Sequence, residues 1–323
     1  MLGINEYPGY AIIDPVIPHY FNDFKFNFML FNHKVTINYH LNKEKKKIFI
    51  DGKENGIVLD KGFKIDQGLI KDNSIIDIYL VNELINNEIK GCFDFFWNET
   101  KANGLTIDKI YSNKKSKYSS IASIGFALAS YVIGVERGYI SFCEGMNRVR
   151  TTLDTILKIE DFHGLLPHFL NLKTDMNDSS EYSTIETSIL LMGAISAASY
   201  FGNRLNIYDD VKGLVNRVDW DYFVREVDGR KLINMAYSKK YWKEFDGFCP
   251  ACWDHYAEQL MIYFLYACKD DTTKADSLDL YHGFTRHKGS YKGDEFIHCY
   301  SNPLFIHQFT HSFIDFRNKK KDD

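Results

Sequence analysis

The sequence lacks the features that mark several common classes of protein. It has no run of the ~18 apolar residues that span a membrane, and residues Met1 to Tyr20 lack the basic start and apolar run of a secretory signal. Six cysteines among 323 residues are too few for a disulfide scaffold. These absences predict a cytoplasmic protein with free thiols and no membrane partner.

The sequence also lacks a large excess of positive charge and the common nucleotide-binding motifs. The chain has 39 basic and 43 acidic residues and a formal net charge of −4, so no basic excess favours nucleic acid as a partner. It contains neither a phosphate-cradling glycine loop nor a GxSxG nucleophile elbow. The chemistry of the chain must therefore be sought in other residue constellations.

A single CxxC motif, Cys249–Cys252, does not by itself predict a metal or redox centre. A structural zinc site needs a second cysteine pair, which the sequence lacks. A redox role would require a βαβ context, and the surrounding pattern does not provide one. We interpret the motif as a turn that carries two thiols.

The first part of the chain has the two-residue periodicity of half-buried strands. Apolar residues alternate along residues 22–81, with the Asp51-Gly52 turn signal between two of the runs. The alternating residues are Phe24, Phe26, Phe28, Val35, Ile37, Tyr39, Ile48, Ile50, Ile76, Ile78 and Leu80. The pattern predicts a small antiparallel β-domain over residues 1–83.

Residues 84–323 change to helical periodicity. Ser119 and Ser120 can cap a helix whose apolar stripe runs from Ile121 to Val132. Small residues between Gly193 and Ala198 would allow close helix packing. Later helices are predicted over Ser183–Tyr200, Tyr208–Val215, Asp254–Ala267 and Pro303–Arg317. This part is therefore mostly helical.

The segment Trp253–Glu258 carries two carboxylates at helical spacing. If Asp254 opens a helix, Asp254 and Glu258 lie on one face about 5–6 Å apart. Their repulsion would raise one pKa, which suits a general acid. Trp253 and Tyr256 would add stacking surfaces. The structural alternative makes Asp254 a helix cap and Glu258 a solvated residue.

The segment Glu181–Glu186 has two interpretations. Ser183 and Glu186 form the sequence pattern of a capping box, which accounts for Glu186 without any catalytic role. Alternatively, Glu181 and Glu186 lie at a helix N-terminus that faces a pocket. The residues alone favour the cap.

A third group lies near the C-terminus. His307, His311 and Asp315 are spaced four residues apart, and Arg317 follows. A thermolysin-like zinc motif needs Glu directly after the first His, where this chain has Gln308. We therefore expect sugar recognition or structural hydrogen bonding, and no metal.

Several of these segments resemble the glycoamylase-like family, which includes endo-β-1,2-glucanases and the cyclising domain of cyclic β-1,2-glucan synthases. The resemblance implies an (α/α)6 barrel, a central cleft with acidic residues, and no cofactor. It makes Glu181, Glu186, Asp254 and Glu258 candidate catalytic residues. The matching stretches are Cys92–Glu99, Ser119–Leu128, Gly164–Leu170, Glu181–Thr187, Trp253–Glu258 and Pro303–Arg317.

The two ends of the chain depart from that family. Gly9–Phe24, Val35–Tyr39 and Ile50–Lys53 are similar to the C-terminal β-cap of disaccharide phosphorylases, but no phosphorylase barrel precedes them. The family usually continues beyond Arg317 with a glycine-rich, helical stretch. We therefore expect a barrel that is incomplete at its C-terminus. Its exposed apolar edge predicts self-association or a second chain that completes the barrel.

Three hypotheses follow for function. The first is a glycoside hydrolase or transglycosylase that acts on a β-linked glucan, preferentially β-1,2-linked. In it, Glu258 protonates the glycosidic oxygen while a second carboxylate activates water or attacks carbon. The second is a non-catalytic glucan-binding subunit, and the third is an inactive fragment of a longer enzyme. Glu258→Gln would separate turnover from binding.

Overall fold

A computed structural model describes residues 3–14, 23–41, 46–59, 62–80, 83–269, 273–299 and 303–316. The chain divides into two compact units, Met1–Gly91 and Cys92–Asp323. The division falls within a helix, Glu83–Asn98, and the domain boundary predicted between residues 83 and 84 lies at the start of that helix.

The first unit is built from strands in two sheets. The first sheet has the order β1-β2-β8-β7, and the second has the order β3-β4-β9-β5-β6. The strands β1 to β9 are, in chain order, Gly3–Tyr7, Tyr10–Asp14, Asp23–Leu30, His33–Leu41, Lys47–Ile50, Lys53–Glu54, Ile57–Leu59, Gly62–Asp66 and Ser74–Leu80.

Alternate residues of both sheets form one apolar core. Ile13 and Phe63 come from the first sheet, and Ile37, Ile50 and Ile76 come from the second. The alternation predicted the buried residues of the second sheet, but Phe28, which it also included, is 39% exposed. The prediction of a purely antiparallel domain was wrong, because β4 and β9 pair in parallel. Alternation determines which side chains are buried but carries no information on the direction of a neighbouring strand.

The second unit is mainly helical. Among its described residues, short strands form two-stranded ladders between the helices. The helices α1 to α8 are Glu83–Asn98, Ile121–Glu136, Phe142–Ile156, Thr184–Phe201, Ile207–Arg217, Leu260–Ala267, Thr273–Gly283 and Leu304–Phe313. The strands β10 to β19 are Ile110–Tyr111, Lys114–Lys115, Tyr118–Ser120, Phe169–Asn171, Tyr182–Ser183, Val224–Val227, Arg230–Ile233, Ala236–Tyr237, His287–Tyr291 and Asp294–His298.

These helices fall into two sets that differ in composition. α2, α4 and α6 are apolar around most of their circumference and pack in the sequence α2-α4-α6. α3, α5 and α7 each follow one of them in the chain and pack against it. α3 and α5 are amphipathic, as expected for helices with one face towards solvent. In the described part of the chain, one helix, α4, is long and apolar enough to cross a membrane, and 72% of it is buried within the protein.

Two glycines allow α2 and α4 to approach closely. A Cβ atom on Gly193 would lie 1.9 Å from the carbonyl oxygen of Gly125, and a Cβ atom on Gly125 would lie 2.5 Å from the carbonyl oxygen of Ile189. Side chains at these positions would therefore clash with backbone. The small residues of α4 were expected to serve this purpose.

Candidate active site

Glu186 lies in the first turn of α4, directly after the cap residue. Ser183 caps the helix by accepting the Glu186 N–H at 3.3 Å, as predicted. The reciprocal bond of a capping box is not made, because the Ser183 N–H donates to the Leu166 carbonyl. The Glu186 carboxylate instead accepts the Ala122 N–H from the start of α2 at 3.2 Å. A helix cap therefore does not account for this side chain.

His168 links two carboxylates. Its Nδ1 lies 2.7 Å from Glu181 Oε1, and its Nε2 lies 3.3 Å from Glu186 Oε1. The backbone fixes the ring, because the His168 N–H donates to the Glu181 carbonyl and the His168 carbonyl accepts from Ile121. The ring of Phe169 stacks on the imidazole at 3.8 Å. Glu181, His168 and Glu186 therefore form one connected polar line.

The three groups differ in their electrostatics. Burial alone would lower the pKa of His168, but its hydrogen bond with Glu181 and the nearby carboxylates raise that pKa above the ordinary value. The same hydrogen bond holds the pKa of Glu181 below its usual range, although burial opposes it. Burial raises the pKa of Glu186 despite the neighbouring imidazole. Glu186 is therefore more readily protonated than Glu181.

Glu258 is the second carboxyl with a raised pKa. Its side chain belongs to a residue that is 8% exposed, and Oε2 has no hydrogen-bond partner among the described residues. Burial raises its pKa, and the negative charge of Glu186 raises it further. The Trp253 indole N–H donates to Thr184 Oγ1 at 3.2 Å, which ties the Glu258 segment to the first residue of α4. Glu186 and Glu258 are thus electrostatically coupled.

Asp254 does not lie where its spacing predicted. The helix begins at Leu260, so Asp254 and Glu258 are not one helical turn apart. Asp254 accepts hydrogen bonds from Arg230 at 2.6 and 3.0 Å and from Thr285 at 2.9 Å. Although burial opposes it, these bonds hold the pKa of Asp254 below its usual range. The predicted helix failed here because Asp254 lies in an irregular segment that is held by this ion pair rather than by a helical backbone.

Two of the remaining predicted binding residues, Tyr256 and His307, contact each other beside Glu258. Tyr256 stacks on His307 with ring centroids 5.2 Å apart, and the hydroxyl of Thr310 donates to the Glu258 carbonyl. His311 contacts the ring of Phe316.

α8 ends at Phe313, so Asp315 lies beyond the helix that was expected to carry it. Arg317 lies outside the described residues.

Metal-binding residues do not converge within the described ranges. No group of three or more His, Cys, Asp or Glu side chains in that part of the chain is arranged to hold a metal ion. Cys249 and Cys252 are free thiols in an irregular segment. Asn234 donates to the Cys249 carbonyl and lies 3.8 Å from Cys252 Sγ.

Two members of the site were not singled out from the sequence. His168 lies within a stretch that was matched to the family, but a lone histidine has no spacing partner that would indicate its role. Asp108 raises the pKa of both His168 and Glu186 through its charge. It lies far from both in sequence, so only the fold brings it close.

Comparisons with known proteins agree with the predicted resemblance. The sequence model of the glycoamylase family, described as "Putative glucoamylase", matches residues 252–323. A curated relative is the exo-β-1,2-glucooligosaccharide sophorohydrolase (non-reducing end) of Parabacteroides distasonis. It is 25% identical over 151 residues, which cover 43% of this chain and 21% of the relative. The chain therefore spans about a fifth of that relative's length.

Two solved structures share the fold. The endo-β-1,2-glucanase from Chitinophaga pinensis, in complex with sophorotriose and glucose, has a TM-score of 0.60 at 20% identity, covering 72% of this chain and 60% of that one. A "putative glucoamylase" from Bacteroides caccae has a TM-score of 0.58 at 22% identity, covering 72% and 61%. The predicted resemblance to the glycoamylase-like family is confirmed.

Proposed function

Because this chain resembles the glycoamylase-like family, we propose that it is a glycoside hydrolase or transglycosylase that acts on a β-linked glucan, preferentially a β-1,2-glucan. One observation carries the proposal. Glu258 is buried and Glu186 is partly buried, both have raised pKa values, and the charge of Glu186 raises the pKa of Glu258. Two coupled carboxyls that do not ionise together supply one proton donor and one carboxylate.

We further propose that the helical unit is part of an (α/α)6-type barrel. The inner sequence α2-α4-α6, with α3, α5 and α7 as outer partners, supports this arrangement. α2 and α4 also run side by side in the same direction, since Ala122 lies opposite Glu186 and Gly125 lies opposite Gly193. Both acidic residues then lie at the N-terminal end of the inner helices. Completion by self-association or a second chain stays a prediction.

Glu258 is the general acid in this proposal. Among the described residues no group donates a hydrogen bond to its buried Oε2, and burial outweighs the backbone hydrogen bond of Glu258, so the protonated form is favoured. Glu258 gives its proton to the glycosidic oxygen as the bond to the anomeric carbon breaks. This transfer yields the leaving hydroxyl and leaves Glu258 ionised.

Glu186 is the second carboxylate. It accepts the Ala122 N–H and faces the imidazole of His168, and both contacts favour the ionised form. It either activates water or attacks the anomeric carbon. The first route needs the two carboxyl groups roughly 6.5–9.5 Å apart, and the second needs roughly 5–5.5 Å.

His168 and Glu181 act as positioning residues. Glu181 holds the imidazole through Nδ1, so that Nε2 faces Glu186. Trp253 and Tyr256 lie in the Glu258 segment and His307 stacks on Tyr256, and we propose that these rings supply flat surfaces on which a sugar stacks. All six cysteines are free, which supports the cytoplasmic location that we also propose.

Product analysis tests the proposal. Purified protein is incubated with linear β-1,2-glucan, and in parallel with β-1,3- and β-1,4-glucans, beside Glu258→Gln and Glu186→Gln. Glu244→Gln is the matched control, since Glu244 is exposed. We expect short oligosaccharides or rings from the wild type and the control, and none from the other two variants.

The role assignment has its own test. A substrate with an activated leaving group needs little help from an acid, so it should restore turnover to Glu258→Gln and not to Glu186→Gln. The reverse pattern would exchange the two roles. Glucan binding by a folded wild type without turnover, unchanged by Glu258→Gln, would refute the enzyme and favour a binding subunit.

A further inference from the structure

A cavity in the second unit carries a positive charge that the proposed hydrolysis does not use. It has a volume of about 750 Å³ and lies between the end of α1, the β10–β11 hairpin and the β12–β13 ladder. Four lysines line it, Lys101, Lys115, Lys117 and Lys173, with Glu99 as the acidic residue. In a chain whose net charge is −4, this is a local reversal of sign.

The four lysines differ in whether their ammonium groups already have a partner in the protein. Lys115 pairs with Glu99 at 2.6 Å, and Lys101 donates to the Leu172 carbonyl. Lys117 and Lys173 have no ion-pair partner within the described ranges of the chain, and both are exposed. Two ammonium groups are therefore available to a ligand. The pairing of Glu99 with Lys115 limits how far this carboxylate opposes them.

We propose that this cavity is a binding site for a phosphate-class anion. A lysine ammonium is a compact point charge with three donors, and lysine is a common phosphate ligand. A phosphate dianion offers two charges for the two free ammonium groups. Its remaining oxygens can accept hydrogen bonds from the hydroxyl groups of Ser116 and Tyr118, which line the same cavity.

The cavity lies next to the carboxylate site along one ladder. Tyr118 pairs with Asn171, and two residues along the strands Ser120 pairs with Phe169, the neighbour of His168. Two residues of a strand span about 6.6 Å. A phosphate ester carried by a saccharide could therefore occupy the cavity while its sugar reaches towards His168. Free phosphate presents the same chemistry, so the experiment must separate these two sources.

Isothermal titration calorimetry on the full chain tests the site, with inorganic phosphate as the probe and sodium chloride at matched ionic strength as the blank. Glucose 6-phosphate and glucose are titrated in parallel. We expect phosphate to bind, and the double variant Lys117→Gln/Lys173→Gln to bind about tenfold more weakly or worse, because two charges near the ligand are lost. Glu99→Gln should strengthen binding, since it removes the opposing charge.

The double variant Lys212→Gln/Lys239→Gln is the control, because it changes net charge equally at exposed lysines outside the cavity. Tighter binding of glucose 6-phosphate than of phosphate would identify a phosphorylated saccharide as the ligand, and equal binding would identify the free anion. No heat above the chloride blank, or equal weakening in both double variants, would refute the site. Neither result depends on turnover, so the hydrolysis proposal is judged separately.

Discussion

Replacement of Glu258 by glutamine should abolish turnover while it removes a pH-dependent cost to stability. The carboxyl belongs to a residue that is 8% exposed, and its Oε2 has no hydrogen-bond partner among the described residues. Its pKa in the folded protein lies above the ordinary value of 4.5. Glutamine keeps the shape but cannot give up a proton. Loss of a general acid typically costs about 10²–10⁴ in rate.

The sign of the stability effect follows from proton linkage. Between the unfolded and the folded pKa, the folded protein binds more protons than the unfolded chain, so stability falls as pH rises. The fall is about 1.4 kcal/mol for each pH unit between the two pKa values, and it ends above the folded pKa. The free energy of unfolding of Glu258→Gln should not show this decrease with pH, because glutamine does not titrate. The unpartnered amide adds a cost of about 1–3 kcal/mol, but that cost does not change with pH.

Urea unfolding measures this difference. The four tryptophans, Trp97, Trp220, Trp242 and Trp253, all lie in the second unit, so tryptophan fluorescence reports the unit that contains Glu258. Wild type and variant are compared between about pH 4 and pH 8. The free energy of unfolding of the variant should rise relative to the wild type as pH increases.

Two results would contradict this reasoning. Parallel stability curves would mean that burial does not hold a proton on Glu258. A difference in slope with unchanged turnover would mean that the buried carboxyl is structural and that the acid lies elsewhere.

Four further predictions concern other features of the second unit. His168→Asn should lower kcat/KM by about ten- to a hundredfold and shift the acid limb of the pH–rate profile to higher pH, because loss of the imidazolium raises the pKa of the carboxylate beside it. Asp254→Asn should destabilise the unit by about 1–3 kcal/mol near neutral pH. In urea unfolding that loss should vanish as pH falls through the lowered pKa of the aspartate. Gly193→Ala should cost about 3 kcal/mol or more in the same assay, since its Cβ would meet the Gly125 carbonyl. Gly213→Ala, where a Cβ contacts nothing, should gain about 0.5–1 kcal/mol.

Two copies of the same short motif mark the limit of prediction from sequence. Ser141 and Glu144 form a complete capping box at α3, with both reciprocal bonds present. Ser183 and Glu186 have the same spacing at α4, yet only the serine half forms. The difference arises because a carbonyl and an amide from distant segments compete for the Ser183 N–H and the Glu186 carboxylate. The spacing of residues within one segment carries no information about hydrogen-bond partners from distant segments.

Helices and buried strands were predictable for a physical reason. The apolar alternation of β4 and β9 repeats at the period of a strand, and the Ser120 cap followed by a long apolar run marks α2, so a few residues suffice to identify these elements. The acidic site was only partly predictable. Asp254 and Glu258 are four residues apart, but an ion pair with Arg230 holds the aspartate away from helical geometry. The coupling of Glu258 with Glu186 depends on tertiary structure.

The Gly125–Gly193 crossing has a consequence for the chemistry of the neighbouring helix ends. One turn from the crossing, the Ala122 N–H of α2 reaches the Glu186 carboxylate of α4. The distance between the axes of α2 and α4 therefore determines the position of the Glu186 carboxylate relative to Glu258. A methyl group on Gly193 would lie 1.9 Å from the Gly125 carbonyl oxygen, so it would push the two helices apart. Substrate turnover would then depend on the bulk of two residues that have no reactive atom.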